Sequence, residues 1–247
     1  MKKMITTTLA ASLVASIATA GVSTTLDFAS AYVFRGVTLN DGAVFQPGIE
    51  VSDFGLPEEY GAVSVGAWGN YDFEDYTPSG ASSSTFQETD WYASYSLPAF
   101  VEGLDLFVGY GEYTYGAGVS DEEFSLGAGY EIVGIAVGLT YYQGVGGVIS
   151  TSTYTELSLG YGFEFTEDFS AEVGARFGFL NPDDGESGFS DYDLSAGVGY
   201  VLSEKWSIGA SVAYIGQGDD DVLADSTATD TGYDVDFVGS IGLACEM

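Results

Sequence analysis

The sequence contains no histidine, a single cysteine, five prolines and very few basic residues. The absence of histidine removes both the commonest metal ligand and the commonest general acid or base of enzymes. Because Cys245 is the only cysteine, no internal disulfide can form. Five lysines and arginines face 37 acidic residues, and the net charge of −32 repels nucleic acid phosphates. These shortages argue against a nucleic-acid-binding protein, a disulfide-stabilised protein and a histidine-dependent enzyme.

Hydrophobic runs long enough to cross a membrane as a helix are also missing, because the apolar stretch near the start is too short. Lys2 and Lys3 precede this stretch, and Ala18-Thr19-Ala20 follows it. A basic start, a short apolar run and small residues at its end are typical of a cleaved secretory signal peptide. We therefore expect residues 1–20 to be a signal peptide and residues 21–247 to form one exported domain.

Glycine and aromatic residues are abundant: there are 35 glycines, and 15% of the chain is Phe, Tyr or Trp. This composition favours strands and turns over helices. Apolar and polar residues alternate along most of the chain, which is the period of a β-strand with two different faces. Twelve such runs predict strands at 24–36, 44–52, 61–73, 87–97, 104–115, 122–131, 134–143, 153–165, 169–180, 190–201, 206–216 and 233–246.

The two faces of these strands differ in residue size. One face carries large Leu, Val, Ile, Phe and Tyr side chains, and the other carries glycine, serine and carboxylates. A small soluble barrel must fill its centre with bulky side chains, which a face of glycine and serine cannot supply. Lipid outside and water inside suit the two faces, and a closed sheet pairs every strand edge. We predict an all-β fold: a single transmembrane antiparallel up-and-down β-barrel of about 12 strands, with 10 or 14 as alternatives.

The aromatic residues and the connections support a membrane barrel. Aromatic residues concentrate near strand ends, as expected for anchors at the membrane interfaces; they are Phe34, Phe73, Trp91, Tyr110, Tyr130, Tyr141, Phe163, Trp206 and Tyr214. Connections alternate between short ones, such as 166–168, and long ones, such as 217–232, like the periplasmic turns and external loops of such barrels. A soluble sandwich of two sheets would show the same alternation of residues. It explains neither the signal peptide nor the glycine-rich polar face.

The N-terminal part of the mature chain resembles a known family. The stretch Asp27-Phe28-Ala29-Ser30-Ala31-Tyr32-Val33-Phe34-Arg35-Gly36-Val37-Thr38 is soon followed by Gln46-Pro47-Gly48. This pattern, over about 30 residues, resembles the TorF-type porin family of outer-membrane β-barrels, also called the Gcw_chp family. The resemblance implies an outer-membrane barrel with a role as a pore.

Basic residues are so scarce that each one is a candidate for function. Arg35 and Arg176 fall on the polar face of their predicted strands, so both side chains are expected to point into the lumen. Carboxylates predicted to line the pore with them are Glu50, Asp72, Asp90, Glu156, Glu172 and Asp193. One interpretation is a charged constriction that selects solutes. The alternative is an ion-pair network that braces the barrel, because charges away from bulk water must be paired.

The predicted function is that of a porin in the cell outer membrane: a narrow passive pore for small solutes, with a preference for cations if the acidic lumen is open. The alternative is a non-conducting structural or surface-interaction barrel that acts through its external loops. No catalytic residue or cofactor is predicted: the absence of histidine excludes a Ser–His lipase, and an enzyme that uses two carboxylates ranks third, since the acids show no distinctive spacing. No metal site is predicted, because acidic loops such as 183–186 and 219–221 lack the spacing of a calcium-binding loop. The predicted partners are outer-membrane lipid and small solutes, and not nucleic acid.

Overall fold

The alternating runs form strands in the computed structural model, which describes residues 21–52, 54–73, 85–116, 118–225 and 232–247. The predicted signal peptide and most of the predicted loop 74–86 lie outside these ranges. Two 3₁₀ turns occupy Glu58–Tyr60 and Gly147–Ile149. The strands are β1 (Val22–Ala29), β2 (Tyr32–Phe34), β3 (Val37–Asn40), β4 (Val44–Val51), β5 (Ala62–Asp72), β6 (Phe86–Ser96), β7 (Leu104–Tyr115), β8 (Ser120–Ile132), β9 (Ile135–Gly146), β10 (Thr153–Glu164), β11 (Phe169–Asn181), β12 (Gly188–Val201), β13 (Trp206–Gln217) and β14 (Phe237–Glu246).

Twelve of these strands close into a barrel. Each pairs antiparallel with its neighbours in the order β1-β14-β13-β12-β11-β10-β9-β8-β7-β6-β5-β4, and β4 pairs with β1 to complete the ring. The first and last barrel strands meet over seven residue pairs, from Ser23 opposite Glu246 to Ala29 opposite Ser240. The predicted single antiparallel barrel of about 12 strands is therefore confirmed. Strands β2 and β3 form a separate two-stranded sheet.

The barrel has its apolar residues on the outside. Trp91 on β6 is 60% exposed and Leu126 on β8 is 58% exposed, and exposed Leu, Val, Ile and Phe alternate with buried positions along the strands. The fully or nearly fully buried side chains are mostly polar or charged; among them are Gln46, Asn70, Asp72, Glu88, Asp121, Glu123, Arg176, Asp191 and Asp193. This arrangement is the reverse of a soluble barrel, whose centre is filled by apolar side chains. It leaves the apolar outer wall to be covered by something other than water.

The connections differ between the two ends of the barrel. At the end where β1 begins and β14 finishes, two residues join β8 to β9, and four each join β10 to β11 and β12 to β13. At the opposite end, residues 30–43 and 218–236 make the longest described connections. From β8 onward this matches the predicted alternation, whereas 52–61 and 97–103 are longer connections at the first end. No helix in the described ranges is long and apolar enough to cross a membrane.

The first predicted strand, 24–36, is wrong in its second half. The barrel strand ends at Ala29, and Tyr32–Phe34 forms β2 of a hairpin with β3. Phe34, predicted to anchor at the membrane interface, packs instead against Tyr113 with ring centroids 5.8 Å apart. The alternation misled because β2 keeps the same period as β1, although the chain turns away from the wall at Ser30.

Aromatic rings account for several inner glycines. On the inner face of the wall, a Cβ at Gly66 would collide with the ring of Tyr92, and a Cβ at Gly178 would collide with that of Tyr154. The glycine therefore allows a large side chain on the neighbouring strand to lie flat against the wall. The inner face is thus less open than its small residues suggest, because rings fill the space above the glycines.

Candidate functional site

The hairpin of β2 and β3 folds into the barrel and crosses it. It leaves the wall between β1 and β4, and its tip reaches β8, β9 and β10, which lie on the opposite side of the ring. Two residues, Arg35 (φ 51°) and Gly36 (φ 79°), connect Phe34 to Val37 at the tip. Positive φ at both central residues is the geometry of a type I′ turn, whose twist matches that of the two strands. We call residues 31–42 the inner hairpin.

Arg35 fixes the tip of the inner hairpin to the far wall. Its two terminal nitrogens donate to the two carboxylate oxygens of Glu123 on β8, at 2.8 and 3.0 Å. Its guanidinium carbon lies 4.3 Å from the ring centroid of Tyr142 and 4.4 Å from that of Tyr154. A bidentate ion pair combined with cation–π contacts is among the strongest arrangements available to an arginine. The predicted position of Arg35 on a wall strand is therefore corrected: it lies at the tip of a hairpin inside the barrel.

Arg176 on β11 gathers three carboxylates from its neighbours. Its Nη2 lies 2.8 Å from Asp191 Oδ1, its Nη1 lies 3.7 Å from Glu156 Oε2, and its Nε donates to Asp193. Asp191 is fully buried and also accepts from the hydroxyl of Ser190 at 2.7 Å. Because the three carboxylates would repel each other, the guanidinium is what allows them to be packed side by side.

Tyr154 on β10 joins the two arginines. Its ring lies under the guanidinium of Arg35, while its hydroxyl accepts from Arg176 and donates to Asp191 at 3.1 Å. One connected network therefore runs from β8 through the inner hairpin to β12. We call it the arginine cluster: Arg35, Arg176, Glu123, Tyr154, Glu156, Asp191 and Asp193. It contains two guanidinium groups and four carboxylates, so it stays net negative.

The base of the inner hairpin is held by amides instead of charges. Asn40, fully buried, donates through Nδ2 to Gln87 Oε1 on β6 at 2.9 Å. Asn70 on β5 donates to the same Gln87 oxygen at 2.9 Å, and Gln46 on β4 donates to Asn70 Oδ1 at 3.0 Å. Gln87 in turn donates to Asp72 Oδ2 at 3.5 Å. We call Asn40, Gln87, Asn70 and Gln46 the amide chain.

The long connection between β13 and β14 covers the inner hairpin. Thr38 N donates to the carbonyl of Gly232 at 2.8 Å, and Thr38 Oγ1 accepts from Val235 N at 3.0 Å. Nearby, the Tyr233 hydroxyl donates to Asp236, and burial together with this hydrogen bond raises the pKa of the hydroxyl above its ordinary value. The hairpin is thus fixed at its tip, its base and its outer side.

Of the predicted pore-lining residues, Arg35 lies at the tip of the inner hairpin and the others lie on strands of the wall. Side chains from the wall that alternate with exposed apolar neighbours are Glu50, Asp72, Asp90, Glu156, Glu172, Arg176 and Asp193. Of these, the structure brings Glu156 and Asp193 to Arg176. In the described part of the chain, Glu50, Asp90 and Glu172 form no ion pair with either arginine. Asp72 accepts a hydrogen bond from Gln87, a member of the amide chain.

Three members of the arginine cluster were missed from the sequence: Glu123, Tyr154 and Asp191. Glu123 and Asp191 fall on the inward-facing positions of their strands, so the sequence places both in the lumen. Many other acidic residues fall on equivalent positions, and the pattern does not single these two out. The Arg-Gly pair at 35–36 was the signal for the hairpin, since glycine is the usual second residue of a type I′ turn. Nothing in the sequence showed that the hairpin would fold inward.

The acidic segment Asp219–Asp221 lies in the connection between β13 and β14. Its three carboxylates come within 4.8 Å of one another, and all three residues are exposed. Exposed acids of this kind are hydrated by bulk water and need no bound cation. The segment therefore adds negative charge to the end of the barrel that carries the long connections.

Comparisons with known proteins show the fold. No family model matches the chain, and no curated protein matches it significantly. Among solved structures, the NanC porin is similar at 8% identity over 92% of this chain and 100% of that one, with a TM-score of 0.55. The KdgM porin is similar at 10% identity over 92% and 99% of the two chains, with a TM-score of 0.50. Outer membrane phospholipase A from Escherichia coli is similar at 12% identity over 92% of each chain, with a TM-score of 0.52.

These structures include two porins and one phospholipase, so the shared architecture serves more than one function. At such identities the likeness concerns the course of the chain and not its chemistry. The resemblance of the N-terminal stretch to the TorF-type family remains a resemblance. The chain therefore shares its closed antiparallel barrel fold with these three structures.

Proposed function

We propose that this protein is an outer-membrane pore for small solutes, narrowed by its inner hairpin. The observation that carries the proposal is the inside-out barrel, with exposed Leu, Val, Ile and Phe on the outer wall and buried carboxylates, amides and arginines within. Lipid supplies the apolar surroundings that the outer wall needs, and a closed sheet leaves no unpaired edge in hydrocarbon. The predicted signal peptide at residues 1–20 supports export to that membrane.

The charge of the lumen favours cations. The arginine cluster holds four carboxylates against two guanidinium groups, and Glu50 and Glu172 add acids that form no ion pair with an arginine within the described ranges. Rings of acidic side chains make pores selective for cations. We therefore propose that small cations pass more readily than anions.

The inner hairpin also favours a second candidate, a non-conducting barrel that acts through its external connections. The hairpin spans the lumen from β1 to β10, and barrels of 8 strands fill their interior whereas those of 16–18 leave a channel. With 12 strands and a hairpin inside, the protein lies between these limits. We propose no catalytic role, because the chain has no histidine, the usual base that activates a serine nucleophile.

Planar-bilayer recording of the refolded protein tests the proposal. We expect discrete conductance steps, with a reversal potential in a salt gradient whose sign shows cation preference. A variant without the inner hairpin removes the constriction. In this variant, Asn-Gly replaces residues 30–43 and joins Ala29 to Val44, which are already partners across β1 and β4. Because the hairpin spans the lumen, its removal should raise the conductance several-fold.

The matched control shortens the exposed connection 182–187 between β11 and β12, which lies outside the lumen, and should leave the conductance unchanged. Silence of the full-length protein at all voltages, together with large steps from the variant without its hairpin, would support the non-conducting candidate. Silence of both proteins would contradict a pore altogether.

A further inference from the structure

The hydrogen bonds of the amide chain have a fixed direction. Asn40 Oδ1 accepts from the backbone N–H of Gly42 at 2.8 Å, so its Nδ2 is the group that donates to Gln87 Oε1. Gln87 Oε1 also accepts from Asn70, whose Oδ1 accepts from Gln46 Nε2. At the far end of the chain, Gln46 is therefore left with its carbonyl oxygen as the unused atom.

That unused oxygen lies beside a second acceptor. Gln46 and Asp27 are directly opposite each other on β4 and β1, so their side chains are neighbours on the inner wall. Gln46 is 1% exposed and Asp27 is 3% exposed. In the described residues, Gln46 Oε1 and Asp27 Oδ2 are both buried without a hydrogen-bond partner. Two buried acceptors on neighbouring side chains, neither of which receives a hydrogen bond, are unfavourable.

Turning the amides does not remove the conflict. If Gln46 rotated so that Nε2 donated to Asp27, its oxygen would face Asn70 Oδ1. Rotating Asn70 in turn would place its Oδ1 against Gln87 Oε1. Gln87 cannot follow, because its Oε1 accepts from Asn40 and its Nε2 donates to Asp72. Whichever amides are turned, one pair of acceptors along the amide chain faces each other without a donor.

Among the residues that the structure describes, no cationic side chain contacts this pair of acceptors. Arg35 and Arg176 are engaged in the arginine cluster, and Lys205 lies in the connection between β12 and β13 at the opposite end. The residue facing Asp27 on β14 is Gly242, which has no side chain. Both oxygen atoms are sealed from solvent, and a single proton on Asp27 would give each of them a partner.

We propose that Asp27 is a buried proton-binding site, in which the neutral carboxylic acid donates a hydrogen bond to Gln46 Oε1 and so completes the amide chain that holds the inner hairpin. Ionisation of Asp27 would leave a buried, unpaired carboxylate, which is strongly unfavourable. Gln46 would then turn its amide towards Asp27 and release Asn70. The hydrogen bond between Gln46 and Asn70 would be lost, which weakens the support of Gln87, the residue that binds Asn40 of the hairpin.

The sign of the pH dependence follows from the proton count. The docked hairpin holds the Asp27 proton and the released hairpin does not, so docking weakens as the pH rises. Where Asp27 is neutral in the docked state and ionised in the released state, the docking equilibrium should fall by up to about tenfold per pH unit. This holds whether or not the barrel conducts.

Other ionisable groups also face the inner hairpin. They are Asp72 on β5, Glu88 and Asp90 on β6, Tyr113 and Tyr115 on β7, Asp121 and Glu123 on β8, Tyr142 on β9, Tyr154 on β10 and Asp191 on β12, with Tyr32 and Arg35 on the hairpin itself. A pH effect alone would therefore not identify Asp27. The Asp27→Asn variant does identify it. The amide of the new side chain would donate to Gln46 Oε1 at every pH, and the substitution leaves all other ionisable groups in place.

Two measurements on the refolded full barrel in detergent micelles test the proposal. Infrared spectroscopy at neutral pH should show the carbonyl band of a neutral carboxylic acid in the wild-type protein and its loss in Asp27→Asn. Hydrogen exchange in residues 31–42, corrected for the intrinsic pH dependence of exchange, should accelerate by up to about tenfold per pH unit in the wild type. Asp27→Asn should show little of this acceleration. Asp105→Asn, which removes an exposed carboxyl on β7, is the control and should behave like the wild type.

Gln46→Met supplies an independent variant if Asp27→Asn refolds poorly. It removes the acceptor at similar volume, so the band of the neutral Asp27 should shift to higher frequency because its hydrogen bond is lost. Identical spectra and identical exchange profiles for the wild type and Asp27→Asn would overturn the proposal. So would hairpin protection that follows the concentration of sodium, potassium or calcium at constant pH, since the occupant would then be a metal cation.

Discussion

The two sides of the lumen neutralise their buried acids in different ways. The wall from β8 to β12 carries Glu123, Glu156, Asp191 and Asp193, and two arginines bind all four. The wall from β1 to β6 carries Asp27, Asp72 and Glu88, all buried, and no arginine or lysine. There, the amide of Gln87 donates to Asp72 and, as we propose, a proton neutralises Asp27.

This difference shows how a chain with almost no basic residues can bury acids. Each arginine offers five donors in a fixed fork, so one residue can organise several carboxylates. Arg35 and Arg176 meet at Tyr154, where the inner hairpin touches the far wall, and both are used in one place. The remaining wall has only neutral donors, which bind acids more weakly. We expect the hairpin to be held more firmly at its tip than at its base.

The largest effect should come from removing the centre of the arginine cluster. Arg176→Ala leaves Asp191, Asp193 and Glu156 close together without a cation, and removing one partner of a buried ion pair destabilises a protein by about 3–5 kcal/mol. Urea unfolding of the refolded barrel in lipid vesicles measures this loss. The control is Lys205→Ala at an exposed position, with an expected change within about 0.5 kcal/mol. Equal losses in the two variants would show that the cluster does not support the barrel.

A smaller effect is expected from Arg35→Ala at the tip of the inner hairpin. Glu123 loses its bidentate partner but still accepts from the hydroxyl of Tyr113 at 2.6 Å, so the loss should be about 1.5–3 kcal/mol. The same variant should raise the conductance, because the freed tip no longer crosses the lumen. An unchanged conductance with lowered stability would assign Arg35 a bracing role alone.

The smallest effect should come from the base. Asn40→Ala removes two hydrogen bonds of a neutral side chain, one to Gln87 and one from Gly42, and should lower the free energy of unfolding by about 1–2 kcal/mol. Asn181→Ala, an exposed asparagine at the end of β11, is the matched control with little expected change. A loss from Asn40→Ala larger than that from Arg35→Ala would reverse the proposed order of tip and base.

Much of the architecture was predictable from the sequence because strand alternation is local. A period of two places large apolar residues on one face over twelve runs, and the number of barrel strands follows. The same locality explains the error at 24–36, since β1 and β2 share one alternation although only β1 belongs to the wall. The inward parity of Arg176, Glu156 and Asp193 was equally local, whereas their contacts depend on the register between β10, β11 and β12.

The sequence by itself determined that the chain forms strands, that these have one apolar and one acidic face, and that basic residues are too few to neutralise the acids. Only the tertiary structure decided that residues 31–42 fold through the lumen, that both arginines meet at Tyr154, and that Asp27 and Gln46 face each other without a donor. The physical reason is distance along the chain. Arg35 lies 88 residues from Glu123, and the two meet only because the barrel closes and the hairpin folds across it.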